Sequence, residues 1–324
     1  MQRFKNILVV CDGQSAFESA FDRVAGLARA NTAEVTLIDV VETAEGELAR
    51  LFSALPGARG HEIEDQVIDV HRARLEALAA PLREQDVPVR TTVQLGIPFI
   101  QIIRRVLRDG HDLVVKGAQR APAQPFLRGP DMHLMRKCPC PVWVLNSSAE
   151  PCARHILAAV APDPDEKVQG GLNRTIMELA TSLARQDEAR LDVLNVWDLP
   201  EESTLRHSLA KVPPEEVDQL VANAERQSAS RLQQLTGEFA RYNDLMRVLH
   251  IKGMAADVIL EHVAAEGIDT IVIGTLARTS VEGFFIGNTA ETVLNRVTAS
   301  VLAVKPKGFV SPVTLDRITE EALA

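Results

Sequence analysis

Short apolar runs punctuate the chain, and between them lie longer stretches in which apolar residues return every three or four positions. The first pattern marks strands and the second amphipathic helices; their alternation is the signature of a parallel sheet with crossover helices. The runs predict strands at Ile7–Val10, Val35–Val40, Val89–Val93, Leu113–Val115 and Val142–Leu145. Five more follow at Ile156–Val160, Arg190–Val196, Met246–Ile251, Thr270–Ile273 and Ser300–Val304. Near-continuous Val, Ile and Leu implies strands covered on both faces. Long amphipathic helices are expected at Glu62–Glu84 and Pro214–Arg241, where His71 and its charged neighbours read as solvated surface.

The second set of strands repeats the first. "KNILVVCDG" is echoed by "RHILAAVAPDP", and "LGIPFIQIIRRVLRDGHDLVVKG" by "KGMAADVILEHVAAEGIDTIVIG". One interval separates both Gly96 from Gly253 and Gly117 from Gly274. "PVWVL" and "SVLAV" close the two copies. Such duplication predicts domains over residues 1–146 and 154–307 with a tail over 308–324. The fold class is α/β, with two tandem doubly wound parallel five-stranded sheets meeting as an internal pseudo-dimer. Val142 and Val301, in the closing strands, offer edges for that contact, and a homodimer of the whole chain is a further partner to test.

A length of 324 residues suits two domains of this size. The net charge of -9, with no dense Lys/Arg block, argues against a nucleic-acid surface, which needs clustered cations. "MQRFKNILVV" lacks the length and cleavage site of a signal peptide, and no apolar run is long enough to cross a bilayer, so a cytoplasmic protein is expected. Cys11, Cys138, Cys140 and Cys152 show no C-x-x-C spacing. Reduced thiols are expected, with Cys138 and Cys140 read as small packing residues ahead of a metal or redox pair.

Ligands of doubly wound sheets bind beyond the carboxyl ends of the strands, where the strand order reverses. There the chain carries "GTLARTSVEGFFIGNTAE" from Gly274 to Glu291, a strand end, a glycine-containing loop and a helix start. Such a loop can present backbone N–H groups to an anion. With "HLMRKCPCPVWVL" in the first half, this segment resembles the universal stress protein family in a tandem arrangement, over nearly the whole chain. The family's nucleotide-binding members carry G-x-x-G, nine residues, then G-[S/T], with an aspartate after the first strand.

Against that pattern the second half keeps Gly274 and Gly287, has Ala277 and Asn288 at the other two positions, and lacks the aspartate, with Ala161 or Pro162 in its place. Asn288 and Glu291 form a capping pair in this reading. The resemblance makes Gly274, Thr275, Gly287, Asn288 and Thr289 a weak site for an anion or nucleotide. The first half keeps Asp12 but has Arg120 and, by the common interval, Pro130 at the glycine positions, with Asp131 at the helix start. Proline removes a donor and the carboxylate would repel a phosphate, so this half is expected to reject ATP.

No zincin, nucleophile-elbow, Walker or dinucleotide motif is present. His133 reads as an exposed or capping residue, Asp12 as a strand-end turn residue. No catalytic residue and no metal site is assigned, and the expectation is a protein that is not an enzyme. The resemblance implies a non-catalytic protein of general stress resistance, including survival of growth arrest and DNA damage, acting through a small ligand or an unidentified regulatory protein. The alternative is an ATP- or AMP-binding switch using the second half; no obligate cofactor is expected. An ATP-pyrophosphatase-like enzyme fits least, since "CDGQSA" and "APDPDE" lack its Ser-Gly-Gly loop.

Overall fold

The computed structural model describes residues 4–12, 18–42, 60–118, 129–146, 152–162, 171–207, 212–275 and 287–315. In chain order these form β1 (Asn6–Val10), α1 (Glu18–Asn31), β2 (Glu34–Val41), α2 (Gly60–Arg83), β3 (Val89–Leu95), α3 (Pro98–Asp109), β4 (Leu113–Gly117), α4 (Gly129–Lys137) and β5 (Val142–Leu145). The second half follows with β6 (His155–Val160), α5 (Leu172–Asp187), β7 (Arg190–Trp197), α6 (Glu202–His207), α7 (Pro214–Gly237), β8 (Met246–Lys252), α8 (Ala255–Glu266), β9 (Thr270–Gly274), α9 (Asn288–Arg296) and β10 (Ser300–Val304). Among the described residues no helix is long and apolar enough to cross a membrane.

The ten strands make one sheet, in the order β3-β2-β1-β4-β5-β10-β9-β6-β7-β8. All pairings are parallel except the central one, where β5 and β10 run antiparallel with Val144 opposite Val301 and Val142 opposite Ala303. The halves therefore do not stack as two sheets; their closing strands are hydrogen-bonded to each other. One apolar layer takes Val24, Leu75, Ile176 and Leu232 from α1, α2, α5 and α7 on one face. The other takes Ile103, Met135, Ile259 and Leu294 from α3, α4, α8 and α9. Each layer runs across the seam, so the two halves share both cores. Arg23 of α1 pairs with Asp187 of α5 at 2.5 Å, both buried, and lies over the Trp143 ring at 4.7 Å. On the opposite face Arg136 of α4 bonds Glu291 of α9.

The repeat interval slips once. Lys116 lies opposite Val10, and Ile273 opposite Ala159, so β4 and β9 correspond as the glycines suggest. Yet Val142 lies opposite Val114 while Val301 lies opposite Ile271, which puts β5 and β10 two positions further apart. The preceding helices share the slip: Cys138 N–H donates to Leu134 O, and Val297 N–H to Val293 O. Pro130 therefore matches Thr289, not Gly287, and Asp131 matches Ala290. A single interval carried across loops of unequal length gave the wrong register there.

Candidate functional site

Beyond the carboxyl ends of β6, β7 and β8, the second half holds a cavity of about 460 Å³. Its walls come from Ala161 and Pro162 after β6, Asn195 and Trp197 of β7, Ser228 and Arg231 of α7, Gly253 to Ala256 at the start of α8, and Asn288, Thr289 and Thr292 of α9. The N-termini of α8 and α9 both open on it, which favours an anion by about 0.3–1 kcal/mol each at an exposed site. Gly253 has φ +154, and a Cβ there would stand 2.9 Å from Val258, so only glycine makes this approach to α8 cheaply.

The polar wall is a neutral relay. Asn195 Nδ2 donates to Val160 O at 3.1 Å, Ser228 Oγ donates to Asn195 Oδ1 at 2.9 Å, and His250 Nε2 lies 3.1 Å from Ser228 Oγ. Burial lowers the pKa of His250, in keeping with a neutral ring. That ring stacks on Trp197 with centroids 5.7 Å apart. Arg231 has no hydrogen bond or ion pair among the described residues.

Of the residues expected to hold an anion, Asn288 and Thr289 line the cavity and are exposed. Gly274 ends β9, where a Cβ would come within 2.7 Å of Leu172 Cδ2; its glycine serves helix packing. Thr275 is wholly buried and donates its N–H to Val304 O at 3.1 Å, while its Oγ1 accepts from Lys305 Nζ. Gly287 is the residue that caps α9, in extended conformation, and no side chain caps this helix. The Asn288–Glu291 capping pair is thus not formed: Asn288 is the first helical residue and the Glu291 carboxylate is turned to Arg136. Ala277 and Arg120 lie outside the described residues.

In the first half the described residues at the same place carry charges that pair with one another. Lys116 Nζ, buried in β4, sits 2.9 Å from Asp12 Oδ2 and 2.7 Å from Asp131 Oδ1, so Asp12 is more than a turn residue. Burial pulls the Lys116 pKa down, but the two carboxylates outweigh it and the net shift is upward. Their counterparts across the repeat are Ile273, Ala161 and Ala290. Asp39, the counterpart of Asn195, is buried and lies 2.6 Å from His71 Nδ1. His71 is therefore a half-buried partner and not solvated surface, since the helix turns it toward β2. Arg74 donates to Cys11 O at 2.8 Å and stands 3.8 Å from Asp39. Phe99 stacks on His133 with centroids 4.5 Å apart, and Lys137 Nζ caps the Phe99 face at 4.6 Å. Burial lowers the His133 pKa, so it too departs from the exposed residue expected. Ala256 and Thr292, both cavity-lining, stand in their places. A lysine inside the apolar run "LVVKG" was the readable signal for the ion cluster.

The family model described as "Universal stress protein family" matches residues 3–146 and 153–305. The chain belongs to the universal stress protein family, with two tandem domains, and so to a group of stress-response proteins. It is 28% identical to Universal stress protein E of Escherichia coli (strain K12) over 323 residues, covering 98% of each chain. It is 25% identical to the Universal stress protein E homolog of Haemophilus influenzae, covering 94% of this chain and 98% of that one. Its fold matches that of a functionally unknown protein from Pseudomonas aeruginosa PAO1, with a TM-score of 0.69, 24% identity and 94% of each chain covered.

Proposed function

We propose that the protein serves general stress resistance, including survival of growth arrest and DNA damage, as a non-catalytic binder of one anionic small ligand. The ligand is held by the second half, and the first half, whose matching side chains pair with one another, is its structural partner. The observation that carries this reading is Arg231, a guanidinium on the wall of an open cavity with no hydrogen bond or ion pair among the described residues, where the first half's Arg74 is engaged by Asp39 and Cys11 O. A guanidinium with free N–H groups is suited to phosphate or carboxylate. Asn288 and Thr289 at the start of α9 add donors on the facing wall. ATP and AMP fit the chemistry, and a nucleotide-governed switch is the second reading, favoured by those two residues. With no acid at Ala161 to meet a ribose or adenine, ATP is held at millimolar strength or not at all.

Mass spectrometry of small molecules released from natively purified protein tests the proposal, followed by calorimetric titration with ATP, AMP and inorganic phosphate. An anion released in one-to-one ratio, and weakened tenfold or more by Arg231→Met, is the expected result. A ligand unaffected by Arg231→Met would refute the assignment.

A further inference from the structure

Cys138 and Cys140 flank Pro139 between the end of α4 and the start of β5, beside the seam that joins the two halves. Their sulfurs are 3.6 Å apart, in van der Waals contact and sharing an S–H···S hydrogen bond. Cys138 is fully enclosed, while Cys140 keeps 9% of its surface open. Directly after β10 comes Lys305, whose buried amine donates to Met135 O at 2.6 Å, three residues before Cys138, and to Thr275 Oγ1. Among the described residues no carboxylate pairs with it, in contrast to Lys116. Burial lowers the Lys305 pKa to about 7, and the nearby Cys138 works in the opposite direction. The amine thus sits against the last turn of α4, which leads into the pair of touching thiols, with no carboxylate among the described residues to hold its proton.

We propose that Cys138 and Cys140 are a peroxide-oxidised dithiol, with Lys305 as the group that takes and returns the proton. The neutral Lys305 amine accepts one thiol proton, and the other stays shared between the sulfurs. Cys140, the less enclosed of the two residues, attacks one oxygen of hydrogen peroxide or an organic hydroperoxide as thiolate. The S–O bond forms, the O–O bond breaks, and the departing hydroxide or alkoxide takes the proton back from Lys305. Cys138 then displaces the hydroxyl of the resulting sulfenic acid, forming the S–S bond; its thiol proton leaves with that hydroxyl as water. Two thiols are oxidised, one peroxide is reduced, and Lys305 ends as it began. The hydrogen bond with Cys138, and then burial, push the Cys140 thiol up, so the pair rests protonated and reacts only under sustained oxidant.

The test uses the full chain carrying Cys152→Ser, which removes the exposed thiol. After hydrogen peroxide treatment, unfolding and alkylation, the peptide holding both cysteines is weighed with and without prior reduction. The expected product has lost two hydrogens, resists alkylation until reduced, and restores both thiols with dithiothreitol. Lys305→Met slows its formation about tenfold or more, with an unchanged circular-dichroism spectrum, and Cys138→Ser halts at a sulfenic acid that dimedone traps on Cys140. Two free thiols after exposure that fully oxidises Cys152 in the parent chain would overturn the proposal. So would direct passage of Cys140 to the sulfinic acid in the parent chain.

Discussion

The two halves of this chain build the same pocket position in opposite ways. Around the ends of β1, β2 and β4 the first half places Asp12, Asp39 and Lys116, and pairs them with Asp131 and His71 beside the stacked Phe99–His133 pair. The second half puts Ala161, Asn195, Ile273, Ala290, Ser228, Ala256 and Thr292 at those positions and keeps about 460 Å³ open. Arginine is retained in both, as Arg74 and Arg231, but among the described residues only Arg74 has a carboxylate to face. Internal ion pairs thus stand in one half where an external anion would stand in the other. The lesson is that duplication preserves a frame while side-chain volume and charge decide whether the frame receives a ligand.

The largest effect that would sharpen this contrast is at Lys116. Lys116→Met leaves Asp12 and Asp131 without their shared cation, and removing one member of a buried ion cluster costs about 3–5 kcal/mol. The matching change in the second half, Ile273→Val, costs about 0.5–1.5 kcal/mol as a lost methylene. Urea unfolding of both variants measures the difference, and equal losses would erase the distinction.

Next in size is a transfer of the plug. Ala256→Phe puts the first half's aromatic ring at the cavity wall, and anion binding to the second half should weaken by about tenfold or more, roughly 1.4 kcal/mol. Stability is expected to change little, because the cavity offers room. A variant that binds as the parent does would break the comparison.

Two further effects show only toward the limits of the pH profile. In the Asp192 cluster, at the opposite end of the strands from the cavity, burial alone would raise the carboxyl, but Arg247, His262 and His155 more than reverse this and hold it at about 2. A depressed carboxyl contributes stability above its unfolded value of 3.8 and loses it as the pH falls toward 2, by about 2 kcal/mol. Lys116 has the opposite sign. Its folded pKa lies above the ordinary 10.5, so its contribution is whole below pH 10.5 and is lost as the pH rises through the folded value. Unfolding midpoints of Asp192→Asn and Lys116→Met against pH check both: each variant should flatten only its own limb of the profile.

How far the sequence could be read differs between frame and contents. The strands were legible because unbroken apolar runs such as "NILVV" and "TIVIG" have one good place, inside a covered parallel sheet. The joining of β5 to β10 was legible only as an option, since an apolar edge does not say whether it pairs or stacks. The contents were harder. His71 sits among charged residues on a long helix, and spacing alone could not say that this face turns toward Asp39. Thr275 looked like a loop residue beside a glycine, yet a lysine thirty positions later holds its hydroxyl in the interior. The slip before α4 hid the true counterparts of Asp131, because two positions gained across a loop leave no mark in the apolar pattern.

Under the proposed function, ligand occupancy belongs to the second half alone. Backbone amide shifts followed by nuclear magnetic resonance, with the full chain titrated with AMP and separately with inorganic phosphate, test it most directly. Shifts are expected at Ala161, Asn195–Trp197, Gly253–Ala256 and Asn288–Thr292, lost in Ala256→Phe, with Asp12, Asp39, Lys116 and Asp131 unmoved. Shifts of equal size around Lys116 and Asp131 would contradict it.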